Sequence, residues 1–140
     1  MTTEEALFNR VLALMQEVTV ANGYSFDIRN VYDSRDIPLD ESELPMFNVF
    51  DESNITDEED ELKRNLRIAI NFEDVGDNSP AVNRSRKQDV LNAFKKIETE
   101  ANVIGASFLG TETDIETKNK KSTAVQFLFN IEYQGERWTI

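Results

Sequence analysis

The chain has 140 residues, enough to bury one hydrophobic core without disulfide or metal staples. It contains no cysteine and no histidine, so disulfides, thiol catalysis, thiolate metal sites and the usual neutral-pH general base are excluded. Asp and Glu outnumber Lys and Arg by 27 to 15, a formal charge of −12, and a surface of that sign is a poor partner for nucleic acid or anionic lipid.

Thr2-Thr3-Glu4-Glu5 reads as a capping box, with Thr2 as N-cap and Glu5 three residues on. Leu7, Val11, Leu14 and Val18 then recur at helical spacing, widened by Phe8, Leu12 and Met15. Asn22-Gly23 is a C-terminal stop, so a first helix is expected from about Thr3 to Ala21. Tyr24–Tyr32, with Phe26, Ile28 and Val31, reads as a short strand. Asp33–Glu43 is polar and contains Pro38, a loop. Met46–Phe50 follows Leu44-Pro45 as a strand with Phe47 and Val49 on one face.

Asp51–Glu61, DESNITDEEDE, reads as an acidic loop. Leu62–Phe72 alternates Leu66, Ile68, Ile70 and Phe72 with Arg67, Ala69 and Asn71, a half-buried strand. Glu73–Ser79 is a break. Ser79-Pro80 then caps a second helix, with Val90, Phe94, Ile97 and Ala101 as its buried stripe, Leu91 and Ile104 beside it, and Gly105 as its end. Ala106–Glu116 is a further strand. Thr117–Lys121 turns the chain into the strongest strand signal of all, Ser122–Tyr133. There Val125, Phe127, Phe129, Ile131 and Tyr133 share one face, while Gln126, Asn130 and Glu132 share the other. Gly135 then turns the chain into a tail with Trp138 and Ile140. The expected fold is α+β: a single domain over residues 1–140, an antiparallel or mixed β-sheet of four to five strands packed with two main α-helices.

No apolar run approaches the ~20 residues of a membrane span. The start MTTEEALFNR lacks the basic and apolar segments of a signal peptide, so a cytoplasmic protein is expected.

Catalytic signatures are sparse. Asp57–Glu61, DEEDE, offers oxygen ligands of the kind Ca²⁺ and Mg²⁺ take, but lacks EF-hand spacing and its central glycine; it reads as a solvated loop. Glu61-Leu62-Lys63 has the Glu-x-Lys pattern of some metal-dependent nucleases, without the basic DNA track such an enzyme needs. No spacing fixes two carboxylates at a hydrolytic separation, and no nucleotide-binding or nucleophile-elbow motif is present. The expectation is a protein that is not an enzyme, with no cofactor, no catalytic residues and no metal ligands.

Charge is segregated instead. Acidic residues crowd Asp33–Glu61, among them Asp57, Glu58 and Glu59, against one Arg35. Basic residues crowd the second helix (Arg84, Arg86, Lys87, Lys95, Lys96) and the last turn (Lys118, Lys120, Lys121). Two different, complementary patches on one subunit allow head-to-tail pairing, which closes into a ring where the rotation permits. Lys118, Lys120, Lys121, Arg84, Lys87, Asp57, Glu58 and Glu59 are the candidate contacts.

The segment VYDSRDIPLDESELP feeding MFNVF, then LRIAINFEDV followed by SRKQDVLNAFKKI, then the final AVQFLFNIEY, resembles the tail terminator proteins of long-tailed bacteriophages, the family of the lambda minor tail protein U. The resemblance covers most of the chain and rests on the placement of strands and helices. It implies a viral structural protein of the virion tail, assembled in the host cytoplasm. As a hexameric ring it would cap the tail tube, stop its polymerisation and join the head-side connector protein. DNA would pass through without specific binding. Other readings are a head-completion or neck protein, an acidic DNA-mimic inhibitor of a nucleic-acid enzyme, and a carboxylate-and-metal hydrolase.

Overall fold

In the computed structural model the described residues are 1–36, 40–57, 59–76, 79–116 and 122–140; the side chains of 114–116 and 122 lie outside the description. The first helix, α1, spans Thr3–Gln16. Thr2 caps it as read, its Oγ1 accepting from Glu5 N at 3.1 Å. The helix stops short of the expected Ala21. Val18, Thr19 and Val20 are β-branched and stiff, and the chain passes instead into a one-turn 3-10 helix, Val20–Asn22. Asp27 fixes that turn by accepting from Val20 N at 2.8 Å, and Gly23 ends it at φ 93.

Strand β1 is Asn30–Asp33, much shorter than the expected Tyr24–Tyr32. Phe26, Ile28 and Val31 still pack on the core. Strand β2 runs Met46–Thr56 and so crosses half of the stretch read as an acidic loop. Its continuation is made by partners rather than by composition: Ser53 to Thr56 pair with Arg67 to Arg64 of β3, Lys63–Val75. A bulge between Asp51 and Ser53 takes up the change of register. Helix α2 is Pro80–Lys95, with Ser79 Oγ accepting from Val82 N as its cap.

The helix does not continue to Gly105. A 3-10 turn, Lys96–Thr99, follows α2, and β4 begins at Val103. Ala101 is exposed in the connecting turn, and Ile104 is exposed on β4. Gly105 sits beside a β4 register shift, where a bulge and not a helix end is formed. Strand β4 is Val103–Glu116 and β5 is Ser122–Gln134.

The five strands order as β1-β2-β3-β5-β4. The β1–β2 pair is parallel and the others are antiparallel, so the fold is α+β with a mixed sheet and two helices. Leu66, Ile68, Ile70 and Phe72 of β3 and Val125, Phe127, Phe129, Ile131 and Tyr133 of β5 are buried on one face. Both helices cover that face through Leu7, Val11, Leu14, Met15, Val90 and Phe94. The opposite face carries Asn71, Glu73, Gln126, Asn130, Glu132 and Glu112 and no helix among the described residues.

Candidate functional site

The expected contact residues are brought to different places. Arg84 is exposed on α2, and Lys87 is half-buried beside it. Asp57 is half-buried and Glu59 exposed in the β2–β3 connection. Glu58, Lys118, Lys120 and Lys121 lie outside the described residues. Register sets the acidic β2–β3 connection apart from the strand ends Glu116 and Ser122: β3 begins opposite Gln134 at its Lys63 end and finishes opposite Ser122 at Val75. The acidic β2–β3 connection is therefore at one end of the sheet. Glu116 and Ser122, which flank residues 117–121 in the sequence, are at the other.

The acidic connection is also an organised turn. Asp57 Oδ1 accepts from Glu59 N and Asp60 Oδ1 from Leu62 N, each at 2.9 Å, the local bonding that favours Asp in turns. Glu61 faces Arg137 at 3.3 Å. No group of three or more carboxylates among the described residues is gathered to hold a metal ion.

Arg86 is a correction to the basic surface. Its guanidinium bonds the Asp74 carboxylate at 2.7 Å, both side chains are largely buried, and the cation lies 5.4 and 5.8 Å from the Phe26 and Phe72 ring centroids. It belongs to the joint between β3 and α2, not to a partner surface.

Arg35 is likewise committed. Its two terminal nitrogens donate to Glu43 at 2.6 and 3.3 Å, Tyr32 Oη donates to Glu43 Oε2 at 2.9 Å, and the guanidinium stands 4.5 Å from the Tyr32 ring centroid. Asn48, on the helix-free face, exchanges bonds with the Arg35 backbone: its Oδ1 accepts at 2.9 Å and its Nδ2 donates at 2.5 Å. The segment read as a polar loop is thus tied to β1 and β2. Hydrogen bonds from Arg35, then from Tyr32, hold the Glu43 carboxyl below the ordinary glutamate range. A depressed carboxylate stabilises the fold above its unfolded-state pKa, and that stabilisation is lost as pH falls through the folded value. Glu43→Gln is expected to lower the urea midpoint at neutral pH, and its difference from wild type is expected to shrink as pH falls through the lowered folded-state pKa of Glu43.

The C-terminal tail is the feature that sequence reasoning missed. Arg64 holds it from β3: Nη2 donates to Glu136 O at 2.9 Å and to Thr139 O at 3.2 Å. Gly135 N donates to Leu62 O at 2.6 Å, and a Cβ at Gly135 would stand 2.9 Å from Arg64 Cγ, so this crossing needs glycine. The Ile140 carbonyl accepts from Tyr133 Oη at 3.2 Å and Glu4 N at 2.9 Å. Burial raises the Tyr133 pKa above the ordinary phenol value, against a lowering hydrogen bond from Asn54. The available signal was a glycine directly after a strong strand, followed by Arg-Trp.

Shallow grooves flank these elements. One of about 200 Å³ lies between α2 and β4, lined by Leu91, Phe94, Phe108 and Phe129. One of about 500 Å³ opens on the helix-free face beside Asn71, Glu73, Glu112 and Gln126. Among the described residues no helix is long and apolar enough to cross a membrane. No protein-family model matches the chain, and no curated protein matches it.

Proposed function

We propose that the chain is a structural protein of a phage tail, a terminator that works as a ring of identical subunits. The ring caps the tail tube, stops its growth and meets the head-side connector. It carries out no chemistry and takes no cofactor. The observation that carries the reading is that the acidic β2–β3 connection and the strand ends flanking residues 117–121 attach at opposite ends of the sheet. The carboxylates of the β2–β3 connection sit at one end, and the strand ends flanking Lys118, Lys120 and Lys121 sit at the other. Arg84 and Lys87 add cations on α2. Opposite charges on different parts of one subunit set the orientation of a head-to-tail contact. The order of elements that carries the family resemblance supports the same reading. The helix-free face presents Glu73, Glu112 and Glu132 against the one exposed cation Arg67 among its described β3 residues 66–73, and an acidic lumen would repel DNA phosphates and let a duplex slide.

Light scattering on the chain alone and with tail-tube protein tests this. A ring on the tube end, with tube growth arrested, is the expected result. The triple reversal Lys118→Glu, Lys120→Glu and Lys121→Glu should leave the unfolding free energy within about 0.5 kcal/mol of wild type while weakening assembly. Tails of normal length with the triple reversal would remove that turn from the contact. The charge of −12 favours a second reading, an acidic inhibitor occupying a basic nucleic-acid site. It predicts a monomer or dimer bound to such an enzyme with steep salt dependence, and no effect on tube length.

A further inference from the structure

Several of the described cations are engaged within the subunit. Arg10, Arg35, Arg86 and Arg137 are ion-paired to Glu100, Glu43, Asp74 and Glu61. Arg29 donates to Ser42 O, and Arg64 holds the tail. Those left are Lys63 and Arg67 on β3, and Arg84, Lys87, Lys95 and Lys96 on α2 and the turn after it. Lys96 stands over the Tyr24 ring at 5.3 Å. The side chains of Arg84, Lys87 and Lys95 have no partner among the described residues. With Leu91 they recur at steps of three and four residues, one stripe of the helix. The one carboxylate within α2, Asp89, is buried and accepts from Ser25 N at 3.0 Å and from Ser25 Oγ. Nothing on the helix itself therefore offsets the stripe. Glu98 follows only beyond it, on the groove between α2 and β4.

We infer that the β2–β3 turn of one copy of this chain docks on the α2 stripe of a second copy. The net charge selects this occupant. Two bodies of charge −12 repel each other unless their contact joins uncommitted cations to carboxylates, and among the described residues α2 and its extension hold most of those cations. The turn is the matching surface: from Ile55 to Leu62 the sequence carries carboxylates and no cation. Arg137 offsets Glu61 alone, and Lys63 follows where β3 begins. Asp57 and Asp60 each use one oxygen to fix the turn and keep their charge, so little is left to order on docking. Exposed ion pairs set orientation more than affinity. Ile55 and Leu62, 61% and 40% exposed at the ends of the turn, add apolar area where they meet Leu91 and the groove beside it. Turn and stripe are different patches, so the contact is heterologous, and its repetition gives a closed ring or an open filament. The inference deepens the ring reading above, placing α2 among the cations that receive the turn, and rests on it only for closure.

The chain has no cysteine, so introduced thiols report alone. A Glu59→Cys chain and a Gln88→Cys chain, both changed at exposed positions, are mixed and oxidised. A disulfide between the two chains is expected, in a yield that falls as salt is raised. Glu112→Cys, exposed on the helix-free face, replaces Gln88→Cys as the control and should not cross-link. Charge reversal gives a second reading by light scattering. Arg84→Glu, Lys87→Glu and Lys95→Glu in one chain should weaken self-association at least about tenfold, and Glu58→Lys with Glu59→Lys in another should do the same. Mixed, the two reversed chains should associate, since each then offers the sign that the other lacks. If the reversed helix fails to fold, the cysteine pair still decides. Equal cross-linking by the control overturns the contact. So does its absence at about millimolar chain, or wild-type association by the chain with the reversed helix. Arrest of tube growth by that chain at wild-type strength sinks the contact and leaves the terminator reading standing. Specific cross-linking without arrest of tube growth leaves the contact standing and counts against the terminator reading alone.

Discussion

Phe127→Ala is expected to destabilise the fold by about 3–5 kcal/mol, the range for truncating a fully buried phenylalanine. Phe127 is 1% exposed at the middle of β5, opposite Ile70 of β3 and Thr111 of β4. Its ring lies parallel to that of Phe129, with 6.3 Å between centroids. Strands hold the position from both sides, so the backbone cannot close over the cavity and the cost should fall in the upper part of that range. Against a typical total of about 5–15 kcal/mol, one substitution removes a large share of the stability. Leu128→Ala is the control. Leu128 is half-buried on the helix-free face, and its loss should cost well under half as much. Denaturant midpoints at constant slope measure both. Equal costs for the two would mean that the apolar face of β5 is not the covered one.

That face was legible because period-two alternation is strong wherever a strand is buried on one side only. The same holds for Leu66–Phe72, and Thr2 and Ser79 named the starts of both helices. The ends were harder. Val18 carries the helical spacing onward and is buried, yet the helix has already stopped at Gln16, because β-branched neighbours weigh against another turn. Ser53–Thr56 looked like loop by charge and became strand by pairing with β3, a contact between residues distant in the register of the eye but adjacent in space. Gly105 marks a bulge, and a glycine that breaks a strand's register has the same sequence appearance as one that ends a helix. Of the candidate contacts, Arg84 and Glu59 fell on open surface as composition suggests, whereas Arg86, counted with them among the basic residues of the second helix, turned inward. Charge counting cannot separate these neighbours; only the helix phase does. Trp138 was visible as a residue but not as a presented one, since its anchor, Arg64, is remote in sequence.

Breaking the joint that sets that phase is the second large effect. Asp74→Ala should cost about 3 kcal/mol or more, as expected when one partner of a largely buried ion pair is removed. The Asp74 and Arg86 side chains are 10% and 16% exposed, and their bond spans the connection from β3 to α2. Asp74 Oδ1 also accepts from Val75 N at 2.8 Å, so alanine removes a backbone partner as well. With the carboxylate gone, the Arg86 cation beside Phe26 and Phe72 loses the Asp74 charge that helps to offset its desolvation. Replacing both residues, Asp74→Leu with Arg86→Met, should return the unfolding free energy to within about 1–2 kcal/mol of wild type, since apolar packing can substitute for a buried pair. A double-mutant cycle on denaturant midpoints reads the coupling. The consequence reaches the surface. Arg86 facing inward is what turns Arg84, two positions earlier on the helix, toward solvent. Asp74→Ala is therefore expected to loosen the presentation of Arg84 and weaken assembly beyond its cost in stability, and the double replacement to recover the stability first. Assembly at wild-type strength in Asp74→Ala would detach α2 from the subunit contact.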